Sequence, residues 1–103
     1  MALLREYKEI AYQWGIWKTE ESPEELLALL PDPERYEQQL TLFSSPHRKL
    51  EWLSVRVLLY QLLGEEKTIE YAPSGKPHLA DSSYFISISH TRGYVAVILS
   101  PVS

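Results

Sequence analysis

The sequence contains no cysteine. That excludes disulfide frameworks, thiolate metal sites and cysteine nucleophiles together, and leaves the redox compartment open. No apolar run approaches the ~20 residues that a membrane span needs. The start of the chain lacks the basic, apolar and small-residue segments of a secretory leader, so a cytoplasmic protein without membrane association is expected. A basic excess is also missing: the net charge is −4, which argues against nucleic-acid binding, because that rests on neutralising many phosphates. The three histidines, His47, His78 and His90, have no metal-ligand spacing, and no carboxylate pair accompanies them. Internal repeats, linkers and low-complexity tracts are absent as well.

What is present suffices for one domain spanning residues 1–103. Apolar residues make up 45% of the chain, with three Trp and seven Tyr, so a small core is within reach without staples. Charge is unevenly spread. Residues 1–43 carry nine acids against four bases, whereas residues 44–103 carry five acids, six bases and all three His. The second half can therefore accommodate one compact anionic ligand.

Residues 9–18 mix aromatic and β-branched side chains around Gly15 and predict a strand, with a bulge at the glycine. Ser22, Pro23, Glu24 and Glu25 provide an N-cap, a proline at the first helical position and acids in the first turn, predicting a short helix that ends near Pro31. A second short helix is expected over residues 33–42. The longest helix should run from a Ser45 cap and Pro46 to Gly64. Leu50, Leu53, Val57 and Tyr60 form one of its stripes, and Trp52, Val55, Leu59 and Leu62 another, so it should be largely buried. Residues 67–71 read as a strand leading into the turn Pro73 to Pro77. Residues 84–90 alternate, with Phe85, Ser87 and Ser89 on one face and Ile86, Ile88 and His90 on the other. The turn Thr91-Arg92-Gly93 then leads into Tyr94 to Leu99, apolar on both faces as in a central strand. The fold class expected is α+β, one long buried helix packed on a small, mostly antiparallel sheet.

Four residues stand out as anion ligands. Arg48 falls in the first turn of the long helix, where a cation is locally unfavourable unless an anion completes the set; the plainer alternative is a stem that covers apolar surface. Lys76, in Gly75-Lys76-Pro77, holds a point charge on a rigid turn. Ser89 and His90 lie where a strand meets a turn and offer a hydroxyl and an imidazole to phosphate oxygens, or form a self-satisfied hairpin corner. Ser–His hydrolysis has no nucleophile-elbow context, and no catalytic residue is assigned. Arg56, set among apolar residues of the same helix, needs a partner, for which Glu51 or a bound phosphate would serve.

Taken in order, these segments resemble the N-terminal half of the two-lobed, Sfp-like 4′-phosphopantetheinyl transferases. Arg48 to Arg56 is similar to the R-x-x-E-[FW]-L-x-x-R helix of that family, Gly75 to Leu79 to its G-K-P-x-L loop, and Ile86 to Thr91 to its I-S-x-S-H-[ST] strand, with Gly93 to Val97 following. The resemblance covers residues 44–100 and is loose over 1–43. It implies one lobe of the transferase fold and an activity that moves phosphopantetheine from coenzyme A to a serine of an acyl or peptidyl carrier protein, using Mg²⁺. Arg48 would hold the 3′-phosphate of coenzyme A; Lys76, Ser89 and His90 would line the nucleotide and its phosphates; Arg56 would be structural or supporting.

The family's G-[IV]-D-[IVL]-E and W-x-x-K-E segments, which supply the Mg²⁺ ligands and a phosphate-binding lysine, are not among these 103 residues. Phosphoryl transfer depends on such metal ions and cations. The chain is therefore expected to be a fragment or a natural truncation, inactive alone and completed by a missing C-terminal lobe. The alternative is a non-catalytic module that binds coenzyme A or self-associates as a homodimer through the surface a second lobe would cover.

Overall fold

A computed structural model of the chain describes residues 3–8, 13–91 and 93–101. Its elements are β1 (Leu3–Lys8), β2 (Gln13–Lys18), α1 (Pro23–Ala28), α2 (Glu34–Leu40), α3 (Pro46–Leu63), β3 (Ile69–Tyr71), β4 (Pro77–Leu79), β5 (Tyr84–Thr91) and β6 (Tyr94–Pro101). The architecture is α+β, with a four-stranded antiparallel sheet in the order β1-β2-β6-β5 and a separate β3–β4 hairpin.

Local chemistry sets the helix ends. Ser22 and Glu25 form a reciprocal capping box at α1, with Pro23 in the first turn, so two otherwise orphaned amides are satisfied. Ser45 accepts from the Arg48 amide at the start of α3, and Gly64 closes that helix in the left-handed region at φ 73°, a conformation glycine adopts without steric cost.

Helix α3 is the spine. Every residue from Leu53 to Leu59 is buried, because the helix packs on β1, β2 and β6 on one side and meets α1 on another. Trp17, Val95, Val97 and Leu99 from the sheet, and Leu53, Val57, Leu58 and Leu59 from the helix, are 0–1% exposed. The expected alternation appears in β5, whereas β6, expected to be covered on both faces, alternates as well. Val95, Val97 and Leu99 are buried on the helix side, whereas Phe85, Tyr94 and Ile98 are exposed on the other, so β6 is central in the sheet order but covered on one face only.

Differences from the sequence-based expectation are local. Residues 9–12 of the first expected strand lie outside the described residues, as does Arg92 of the last turn. Gly15 pairs in register with both Glu6 and Val97, and the irregularity falls instead between Leu3 and Arg5 of β1. Strands β1 and β4 were not expected. The first is rich in charged residues of low strand propensity, and the second is three residues long and opens on Pro77, a position where a strand tolerates proline.

Helix α2 is tied to the end of α3 by Glu66. Its carboxylate accepts from the Asp32 amide at 2.9 Å, the Tyr36 hydroxyl at 2.7 Å and Arg35 Nη1 at 3.2 Å. Burial, reinforced by the bond to Glu66, pushes the Tyr36 phenol above its ordinary pKa. Replacing Glu66 by Ala leaves these donors without their acceptor and should lower stability by about 1–3 kcal/mol. A urea midpoint unchanged from wild type would show that Glu66 does not join the two helices.

Candidate functional site

A cleft of about 630 Å³ opens beside the N-terminal half of α3, a size typical of small-molecule sites. One wall is the helix itself, through Arg48, Glu51, Trp52 and Arg56; the facing wall comes from Tyr71, the Gly75 turn and Pro77, with Ile88 and His90 of β5. Helical spacing explains the first wall, since residues three or four apart share a face. Strand alternation explains His90, whose neighbours Ser89 and Thr91 point to the opposite side of β5.

Glu51 organises the mouth. His90 Nδ1 lies 2.7 Å from Glu51 Oε2, and His47 Nε2 lies 3.6 Å from the same oxygen. The short contact sets the Nδ1 side of the imidazole against the carboxylate and leaves Nε2 free of it. Sequence adjacency offered His90 no carboxylate; the fold supplies one from α3. The three-residue spacing of Arg48 and Glu51 puts both on one face of the helix, but nothing in the sequence pairs that face with β5.

Arg48 is exposed, with its guanidinium 5.9 Å from the centre of the Phe43 ring. Arg56 is 7% exposed, and its guanidinium carbon sits 4.0 Å from the centre of the Trp52 ring. Its Nη1 donates to the Trp52 carbonyl at 3.3 Å and its Nη2 to the Tyr71 hydroxyl at 3.4 Å. Burial lowers its pKa, partly offset by Tyr71, yet an arginine stays charged at neutral pH. Glu51, one of the two partners considered for Arg56, is engaged by histidines instead.

The four residues singled out from sequence do not all meet. Arg48 and His90 border the same cleft. Lys76 borders a neighbouring one of about 350 Å³ with His78 and Tyr84 to Ser87, and Pro77 borders both. The Lys76 turn is closed by bonds from the Ala72 amide to the Lys76 carbonyl and from the Gly75 amide to the Ala72 carbonyl, with Gly75 at φ 88°. Ser89 is exposed and pairs with Ala96 inside the ladder; its hydroxyl faces away from His90 because consecutive strand residues do. Both Ser89 and His90 lie within β5, which continues to Thr91, so they are strand residues, not members of a turn.

Among the described residues, no group of three or more His, Asp or Glu is arranged to hold a metal ion. The described residues therefore offer no ligand set for the Mg²⁺ of the family that the sequence resembles, and no step through it is derived. No helix is long and apolar enough to cross a membrane among the described residues. No protein-family model matches the sequence, and no curated protein matches it.

The Glu51–His90 contact is testable as an ion pair. Glu51→Gln removes the charge at nearly constant size and should lower stability by at most about 1 kcal/mol, and by less at high salt. A chemical-denaturation midpoint that falls equally in low and high salt would show that charge is not what joins the two residues.

Proposed function

We propose that this chain is the coenzyme A-holding N-terminal lobe of a 4′-phosphopantetheinyl transferase, and that it binds the nucleotide end of coenzyme A without carrying out transfer alone. The observation that carries the proposal is convergence. The helix segment with Arg48, Glu51, Trp52 and Arg56, the loop with Gly75 and Pro77, and the strand with His90 are the three segments of the resemblance, and all three border one cleft.

Within that cleft, Arg48 at the rim holds the 3′-phosphate through charge-assisted bonds. His90, beside Glu51, offers Nε2 to a phosphate oxygen. Lys76 acts across Pro77 from the adjoining cleft as a point charge, and Ser89 contributes no hydroxyl to this side of the sheet. The acids and lysine that transfer needs would come from a second lobe, and the acceptor is a carrier-protein serine.

Isothermal calorimetry with coenzyme A tests the assignment. Arg48→Ala should weaken binding roughly 10- to 100-fold, the range expected for a lost charge-assisted contact. The same substitution should make little difference to dephospho-coenzyme A, which lacks the 3′-phosphate. Equal affinity of the wild type and Arg48→Ala for coenzyme A removes Arg48 from the site.

A second reading, a self-associating module, is favoured by the outer face of the sheet. There Phe85, Ile98 and Tyr94 are 62%, 48% and 37% exposed, and the β5–β6 register sets them on one side. A second copy of the chain placed face to face would cover them. Sedimentation velocity should then show a dimer whose population grows with concentration and shrinks in Ile98→Lys; a monomer at every concentration rules the module out.

A further inference from the structure

A carboxylate works against an anion, yet one stands inside this cleft. Glu51 is the one acid that borders it among the described residues, alongside the guanidinium groups of Arg48 and Arg56, and its charge opposes any anionic ligand that enters. Two imidazoles meet it there. His47 Nε2 and His90 Nδ1 lie 3.6 and 2.7 Å from the same oxygen, Glu51 Oε2. They arrive from different elements: His47 sits one turn before Glu51 on α3, and His90 comes across from β5. The carboxylate side chain is 19% exposed and the two imidazoles 64% and 55%, so both rings exchange protons with solvent directly.

A purely structural role leaves His47 unexplained. One histidine would be enough to tie α3 to β5, and His47 lies on the same helix as Glu51, so its contact ties nothing across the fold. Exposed pairs of this kind contribute little to stability, and α3 is already anchored by buried residues from Leu53 to Leu59. What the trio does control is charge. Histidine is the side chain whose charge changes between about pH 5 and 8; guanidinium, ammonium and phenol groups as a class do not change theirs in that interval. The other ionisable groups around the cleft are of those kinds: Arg48 and Arg56 on α3, Tyr71 on β3, and Lys76 in the adjoining cleft. Gln39 and Phe43 are uncharged, and His90 pairs across the ladder with Val95. His78 faces Glu70 and borders the adjoining cleft instead. With both imidazoles neutral, the Glu51 carboxylate offsets one of two guanidiniums; with both protonated, it stands against four cationic groups.

We infer that His47, Glu51 and His90 form a proton-operated control on the charge of the cleft: above neutral pH the Glu51 carboxylate opposes an anionic ligand, and on acidification the two imidazoles cancel it. The inference rests on the cleft being an anion site, as proposed above, but not on the ligand being coenzyme A. Glu51 is then a built-in competitor of the ligand. His47, which does not border the cleft, acts on it through Glu51.

The test titrates the full chain with sulfate, whose charge is constant over this range, at about pH 5.5 and about pH 8. Backbone amide signals of residues 47–52 are followed by NMR at constant ionic strength. Wild type should bind sulfate roughly tenfold more tightly at the lower pH. That ratio should fall to about threefold in His47→Gln and approach unity in His47→Gln/His90→Gln, while His78→Gln keeps the wild-type ratio. Glu51→Gln should strengthen binding at the higher pH by roughly three- to tenfold. The inference is overturned if wild type binds sulfate equally at both pH values, if a folded double variant keeps the wild-type ratio, or if Glu51→Gln weakens binding at the higher pH. Should the double variant fail to fold, His47→Gln at its exposed position carries the same test, and an unchanged ratio there overturns the inference. Sulfate binding that depends on Arg48 yet is equal at both pH values sinks the proton control and leaves the anion site standing. No response to sulfate at either pH removes the anion site, and the control with it.

Discussion

Enclosure of one helix sets the terms for the rest of the molecule. From Leu53 to Leu59 no side chain of α3 reaches bulk water freely, so each polar group in that stretch must find its partner inside the protein. Ser54, fully buried, meets Thr19 hydroxyl to hydroxyl at 2.7 Å just beyond β2. Arg56 leans on the Trp52 ring, the Trp52 carbonyl and Tyr71. Toward its N-terminus the helix emerges: Arg48 is exposed, and Lys49 to Trp52 are half-buried. The cleft lies along this transition. That is where a helix can present side chains to a ligand while its next turn is already anchored in the core, and an anchored element positions such groups better than a loop does.

The opposing wall depends on a different regularity. Alternation along β5 turns Ile86, Ile88 and His90 toward α3 and sends Phe85, Ser87 and Ser89 outward. The imidazole reaches the cleft for the same reason that the neighbouring hydroxyl cannot. The sheet therefore has two unlike faces. One is filled by helix α3; the other carries Phe85, Tyr94 and Ile98 in the open. Each face poses its own functional question, ligand on one and partner on the other.

Much of this was legible in the chain and some was not, for reasons that differ. Caps and glycines declare themselves locally, so the start of α1 and both ends of α3 could be read from Ser22, Ser45 and Gly64, whereas α1, expected to end near Pro31, stops at Ala28. Alternation in residues 84–90 and the apolar run of residues 94–99 gave the two strands of the last hairpin, although the run read as a strand covered on both faces and β6 is covered on one. The same alternation already separated Ser89 from His90, and grouping them in one site neglected it. Strand β4 left no pattern because three residues are too few to alternate visibly. The partner of His90 was hidden because Glu51 lies far away in sequence and meets it only through packing between α3 and β5. The isolation of Arg56 was hidden more deeply, since it depends on where every nearby acid goes.

Those acids have a distribution that bears directly on the cleft. Residues 44–103 contain five of them: Glu51 meets His47 and His90, Glu65 and Asp81 share Lys67, Glu66 holds Arg35 and Tyr36, and Glu70 meets His78. None of them is committed to Arg48, Arg56 or Lys76 among the described residues. Apart from the Glu66 cluster, exposed ion pairs of this kind contribute little to stability, so most of the pattern is not needed to hold the fold together. Its consequence is electrostatic. Acids are drawn to the far end of α3, to the β3–β4 hairpin and to the histidines, while two arginines border a concavity with only Glu51 for balance, and that carboxylate already faces two imidazoles. A low-dielectric concavity lined in this way concentrates positive potential. Among the described residues, the lining itself therefore keeps an excess of positive charge.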